Sequence, residues 1–214
     1  MVVNFVIVLF MNTDLNVNIP VAAGCVLAGG RSRRMGTDKA LLEFDGKTLL
    51  AIALERFSGF PEILISAADT ERYAFSAAKI IPDALSGMGP IGGLISVLSA
   101  AESDLVCFRP VDAPLAPTGL HLILAEACAG KDAAVPVFHD AKEPLFACLS
   151  KNALPVFEAL ASGGNFKVAD AFPALDTVYV SLEAPELLDK LGDPMAYLMN
   201  ANDPLTFTKL GKRL

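Results

Sequence analysis

Residues 27–39 read LAGGRSRRMGTDK. Gly29 and Gly30 close a hydrophobic run, and Arg31, Arg33, Arg34 and Lys39 follow within ten residues. Glycines let the backbone approach a ligand closely and turn its N–H groups toward it. Guanidinium and ammonium groups then supply the charge that phosphate oxygens attract. The chemistry of such a stretch is the capture of an anion, a polyphosphate first among them. The competing reading is a surface turn with solvated arginines, and Arg33 suits that reading better than the other one. Two carboxylates invite the same question. Asp112, in RPVDAP, falls at the carboxyl end of an apolar run, where ligands of open α/β sheets gather. It is also a common turn residue before Ala113-Pro114. Asp83, in IIPD, precedes a second glycine loop and is either a ligand contact or a cap.

Other chemistries are excluded or weak. A Walker A loop needs glycine five residues before Gly46-Lys47-Thr48, and Leu41 stands there. The pattern GxGxxG occurs as GMGPIG at Gly87–Gly92, but it contains Pro90, lies far from the first strand and follows no strand directly. It reads as a loop leading into a helix. The two histidines stand apart from any nucleophile: His121 on a helix as a structural residue, His139 in a hairpin turn. No nucleophilic triad follows.

These residues need elements to hold them. VAAGCVL (21–27) reads as a buried strand ending at the glycines. Asp45-Gly46 marks a turn, and Thr48 caps a helix over LLAIALERF. EILISAA and KIIPD are strands, Gly89-Pro90 opens a helix over IGGLISVLSA, and DLVCF is a third buried strand that ends before Asp112. TGLHLILAEACA is helical. AAVPVF and EPLFACL read as two strands joined by His139-Asp140-Ala141-Lys142. ALPVFEALA, DTVYVSL and APELLDKL continue the alternation. Strands alternating with helices predict an α/β sandwich around a largely parallel sheet.

The chain has 214 residues and a formal net charge of −7, with a mean hydropathy of +0.49 and a pI of about 4.8. The length suits one domain, residues 20–214. The acidic balance argues against nucleic acid and anionic membranes as partners. VVNFVIVLFM (2–11) is too short to span a bilayer and lacks the marks of a signal peptide. Residues 1–19 read as an N-terminal extension: an added strand, a disordered or partner-binding segment, or the result of a start assigned upstream of Met11. Cys25, Cys107, Cys128 and Cys148 form no CxxC pair. They read as reduced, partly buried thiols of a cytoplasmic protein, not as a disulfide or zinc framework.

LAGGRSRRMGTDKALL resembles the LAGGxSxRMGxDKxLL signature of the molybdenum cofactor guanylyltransferase (MobA) family. IIPDALSGMGPIGGLISVL, FRPVDAPL, HDAKEPLFACLSK and LMNANDP extend the resemblance in order over about residues 20–207. It implies a Rossmann-like three-layer α/β/α sandwich with a mostly parallel, mixed sheet, of the nucleotide-diphospho-sugar transferase type. The implied reaction transfers GMP from GTP to molybdenum-bearing molybdopterin and releases pyrophosphate, with Mg²⁺ as cofactor. The implied partners are GTP, molybdopterin and, transiently, other cofactor-biosynthesis proteins. Leu27, Ala28, Gly29 and Gly30 would contact the nucleotide through the loop, and Lys39 its phosphates. Asp83 would touch the nucleotide. Asp112 would touch the nucleotide and hold the metal, a hard ion that takes one or two carboxylates plus phosphate oxygens, with Asn202 completing its site. Lys39 and Arg34 would stabilise the leaving pyrophosphate.

The chain departs from the family pattern at three places. Ser66 stands where some relatives have Asn, which bears on one base or ribose contact. GGNFKVADAF lacks the usual arginines, so that Lys167 alone would serve the pterin phosphate. Arg109-Pro-Val-Asp replaces a Cys-rich lead-in. Alternatives of the same fold are a cytidylyltransferase, whose relatives usually read LAAG, or a sugar-phosphate nucleotidyltransferase. Outside that class stand a catalytically weak nucleotide-binding module and a nicotinamide-dependent oxidoreductase resting on GMGPIG.

Overall fold

The first strand, β1 (Ala22–Leu27), is buried along its whole length, as a small apolar run covered on both faces must be. The computed structural model describes residues 21–29, 38–83, 85 and 87–199. The expectations for residues 1–19 and for Gly30, Arg31, Arg33, Arg34 and Asn202 lie outside the described residues. After Lys39 the chain forms a small hairpin, β2 (Glu43–Phe44) and β3 (Lys47–Thr48). Its turn residues Asp45 and Gly46 both have positive φ, 51° and 73°, the geometry that twists two short strands together. Thr48 then caps α1 (Leu49–Glu55), its hydroxyl accepting the Ala51 N–H at 3.2 Å.

β4 (Glu62–Ala67), β5 (Lys79–Pro82), α2 (Pro90–Ala100), β6 (Leu105–Pro110) and α3 (Thr118–Ala127) follow. Beyond them come β7 (Ala133–Phe138), β8 (Ala141–Lys142), β9 (Cys148–Ser150), α4 (Leu154–Ser162), β10 (Thr177–Ser181), α5 (Pro185–Leu191) and α6 (Pro194–Tyr197). Among the described residues the main sheet has eight strands in the order β10-β7-β9-β6-β1-β4-β5, with β8 beside β7. β5, β4, β1 and β6 run parallel, as do β7 and β10, while β9 runs against both β6 and β7. The mostly parallel, mixed sheet of the sequence reading is therefore present.

One expected strand is corrected. EPLFACL is not continuous: Pro144–Phe146 winds into a 3₁₀ turn and only Cys148–Ser150 pairs. A strand between β6 and β7 must donate hydrogen bonds on both sides, and Pro144 has no N–H to give. The residues before it pair back on β7 as β8 through a turn at His139 and Asp140, with φ of 47° and 59°.

Helices cover both faces. α1, α3 and α5 pack with Ala22 and Val26 of β1 on one side; α2 and α4 pack with Ala23, Cys25 and Leu27 on the other. Each buried ring or branched side chain here contributes about 1.5–3 kcal/mol. Gly24 marks the closest approach, since a Cβ there would lie 2.3 Å from the Phe57 ring after α1. All four cysteines are buried and free, more deeply than the sequence reading had them. Among the described residues no helix is long and apolar enough to cross a membrane.

Candidate functional site

Strand register brings the expected residues to one edge. Leu27 pairs with Ser66 of β4 on one side and Pro110 of β6 on the other, and Ala67 pairs with Pro82 of β5. The chain then leaves each strand under control. The Ala28 N–H donates to Ser66 O at 3.0 Å, Val111 N–H to Leu27 O at 3.2 Å, and Asp83 N–H to Ala67 O at 3.0 Å. Ala28, Asp83 and Asp112 thus emerge side by side at the carboxyl ends of parallel strands, where such sheets bind ligands. Gly29 is exposed, and a Cβ added there would meet no atom within 4 Å. Among the described residues, packing makes no demand for glycine at that position.

The two motifs with the clearest chemistry meet. The Lys39 ammonium donates to Asp112 Oδ2 at 3.0 Å across 73 positions of sequence. Their side chains are 22% and 17% exposed, sheltered but reachable. Lys39 begins a 3₁₀ turn, Lys39–Leu41, that Asp38 caps by accepting the Ala40 N–H at 3.0 Å. The other oxygen of Asp38 accepts from Tyr73 Oη at 2.7 Å and Arg72 Nη1 at 3.0 Å. The capping carboxylate is thereby tied to the segment after β4, and the lysine next to it is held in place.

Ser66 and Asp83 converge on the start of α2. A Cβ on Gly93 would lie 2.5 Å from Ser66 Oγ, and one on Gly92 would lie 2.7 Å from Asp83 Oδ1. The glycines of GMGPIGG therefore let the helix press against these two polar side chains. Gly89, with φ of 68°, makes the turn into Pro90. Asp83 also accepts the Leu85 N–H at 3.1 Å, so it is a turn residue at the edge of the candidate site. Burial pushes its carboxyl up from the ordinary value, against the opposing pull of that N–H.

Arg109 was legible only as a departure from a family pattern, yet it lies fully buried beneath the Asp112 turn. Its Nη2 donates to Ala113 O at 2.7 Å and its Nη1 to Ala116 O at 3.5 Å. A charged residue inside the apolar run DLVCFRP was the signal available for it. For Asp38 the signal was a capping residue directly before Lys39. Lys167 stands exposed and 3.6 Å from Asp170 Oδ1, apart from the residues just described in its contacts. His139 is exposed against Glu183, and His121 is fully buried in the core. Among the described residues no group of three or more His, Cys, Asp or Glu comes together to hold a metal. Gly30, Arg34 and Asn202 lie outside the described residues.

Residues 24–172 match the family model described as the MobA-like NTP transferase domain. The chain belongs to the MobA-like NTP transferase family. Its relatives include the probable molybdenum cofactor guanylyltransferase of Pelotomaculum thermopropionicum, 33% identical over 193 residues, which span 88% of this chain and 91% of that one. That of Carboxydothermus hydrogenoformans is 30% identical, over 91% of this chain and 96% of the relative. Among solved structures, molybdopterin-guanine dinucleotide biosynthesis protein A from Archaeoglobus fulgidus superposes with a TM-score of 0.77 at 26% identity, covering 89% of this chain and 97% of that one. The MobA-like chain is thus a nucleotidyltransferase of a known fold.

Proposed function

We propose that this chain is a molybdenum cofactor guanylyltransferase: it transfers GMP from GTP to molybdenum-bearing molybdopterin and releases pyrophosphate. The observation that carries the reading is the 3.0 Å contact between Lys39 of the glycine loop and Asp112 of the β6 turn. Two family motifs, distant in sequence, supply a phosphate-binding cation and a carboxylate to one place. The names borne by its relatives support the substrates.

Asp112 suits a hard cation. It sits at the sheet edge with Oδ2 on Lys39, and its Oδ1 makes no hydrogen bond to a described residue. Mg²⁺ held there, with Asn202 as a further ligand, would neutralise charge on the α-phosphate. The chain's own residues do the positioning. Ala28 and Gly29 offer backbone to the nucleotide, and Lys39 turns from Asp112 toward the phosphates. Asp83 and Ser66, pressed on α2, border the nucleotide side. A phosphate oxygen of the pterin then attacks the α-phosphorus in line, the bond to the β-phosphate breaks, and Lys39 with Arg34 stabilises the departing pyrophosphate. The same reading sets the enzyme in the reducing cytoplasm, which its four free thiols suit.

The test is calorimetric titration with GTP, CTP and NADH in the presence of Mg²⁺, followed by chromatography of the product formed with molybdopterin. Preference for GTP and a guanine dinucleotide product are expected. Preference for CTP would make the chain a cytidylyltransferase, and binding of NADH alone would overturn the reading.

A further inference from the structure

Among the described residues the turn that carries Asp112 has little main-chain hydrogen bonding of its own. Its sequence, Arg109-Pro-Val-Asp-Ala-Pro-Leu-Ala-Pro, contains three prolines, each without an N–H to donate. On the near side the turn is fastened to the sheet by Val111 N–H to Leu27 O. Beyond Asp112 its internal bond is a long one, Ala116 N–H to Ala113 O at 3.4 Å. The carbonyls of Ala113 and Ala116 both face inward, and both are met by one side chain, Arg109.

A guanidinium in that position is costly. Arg109 is fully buried, among the largest side chains with no exposure, and its Nε finds no hydrogen-bond partner among the described residues. Among the described residues no carboxylate pairs with it; its hydrogen bonds go to main-chain oxygens alone. Burial and the nearby charge of Arg56 pull its pKa down to about 9, which still leaves it charged at neutral pH. His121 beside it is held neutral, by burial first and by the Arg109 charge second. Burying a charge is offset only by the hydrogen bonds it makes, and those of Arg109 go to the two carbonyls of this turn.

We propose that Arg109 is a positioning residue for Asp112: from beneath the turn it fixes the main chain on the far side of the aspartate and so aims the carboxylate toward Lys39. Two anchors then bracket Asp112, Val111 on Leu27 before it and Ala113 on Arg109 after it. The rigid fork of an arginine can span two carbonyls three residues apart, whereas a lysine presents a single point charge. The inference rests on the reading of Asp112 given above only for its effect on turnover.

The test is amide hydrogen exchange across residues 111–116 of the nucleotide-free protein, in wild type and in Arg109→Met and Arg109→Lys. Exchange in the turn should quicken at least tenfold in Arg109→Met and less in Arg109→Lys, with β1 and β4 unchanged. With GTP and the pterin acceptor, kcat should fall roughly 10- to 100-fold, the scale of a small misplacement of a reacting group, while KM for GTP changes little. Unchanged exchange in a folded Arg109→Met variant would overturn the proposal. A wild-type protein that shows no guanylyl transfer would instead count against the functional reading, and the exchange result would still decide the role of Arg109. Should neither variant fold, NMR of wild-type Arg109 decides. Slowly exchanging, separately resolved Nη protons are expected, and a freely rotating guanidinium would overturn the proposal.

Discussion

Replacing Asp112 by Asn separates two effects of one carboxylate. In the nucleotide-free protein Asp112 holds the Lys39 ammonium at 3.0 Å. Without a divalent cation, an incoming triphosphate must draw Lys39 away from this partner and approach the carboxylate's negative charge. Both are costs that Asp112→Asn removes. Exposed ion pairs contribute about 0.2–1 kcal/mol and hydrogen bonds to charged groups about 1.5–3 kcal/mol. A pair with side chains 22% and 17% exposed falls between these limits. We expect a gain of about 1–2 kcal/mol, or roughly 5- to 30-fold tighter binding of metal-free GTP. Calorimetry in EDTA measures it. With Mg²⁺ the same variant should lose transfer by at least about 10³-fold, the loss of charge stabilisation at the reacting phosphate. Lys39→Met is the control and should weaken GTP by about 1.5–3 kcal/mol with Mg²⁺, and by less in EDTA, where Lys39 must first give up Asp112. Metal-free affinity that is unchanged or weaker in Asp112→Asn would refute the idea that the Lys39–Asp112 pair is a self-neutralised form of the site.

Gly93→Ala should destabilise the fold by about 1–3 kcal/mol and weaken GTP binding, because its Cβ would lie 2.5 Å from Ser66 Oγ. Adding Ser66→Ala should recover most of the loss, since the next contact, with the Ser66 Cβ, is an ordinary 3.6 Å; thermal melts of the single and double variants decide. His121 predicts a pH effect. Burial, and secondarily the Arg109 charge, hold its pKa well below the usual histidine value, and neither ring nitrogen has a hydrogen-bond partner among the described residues. The unfolded chain takes up a proton near pH 6.5 and the folded one does not, so stability present at neutral pH is lost as pH falls below about 6.5, by up to about 1.4 kcal/mol per unit. His121→Leu should flatten this slope between pH 7.5 and 5.5 in urea titrations; an unaltered slope would assign it to other groups.

The elements were legible where local chemistry spoke plainly. The β1 run, the Asp45-Gly46 turn, the Thr48 cap and the Gly89-Pro90 helix start each carry a short-range signal, and each is present. EPLFACL misled because its apolar content suits a strand, while Pro144 denies the two-sided pairing that its place in the sheet requires. Lys39 and Asp112 could be named from the sequence. Their 3.0 Å contact could not, because it depends on β1 and β6 being adjacent and in register. The same holds for Ser66 and Gly93, which look unrelated until α2 is laid on β4. Asp38, Tyr73 and Arg109 were missed as supports of the candidate site because their partners are set by tertiary geometry alone.

The placement of the thiols has a practical consequence. Cys107 donates to His121 O at 3.4 Å and Cys128 to Cys148 O at 3.4 Å, so three sulfurs from β6, β9 and the end of α3 share one interior region, while Cys25 faces the other core. An alkylating reagent can reach none of them in the closed molecule, and its rate of reaction therefore counts openings. Because the two cores hold separate sulfurs, peptide-resolved labelling becomes a two-channel clock. Modification of Cys107, Cys128 and Cys148 ahead of Cys25 would mean that α3 lifts from the sheet as a unit of its own. Modification of all four at one rate would mean that the sandwich opens as a whole.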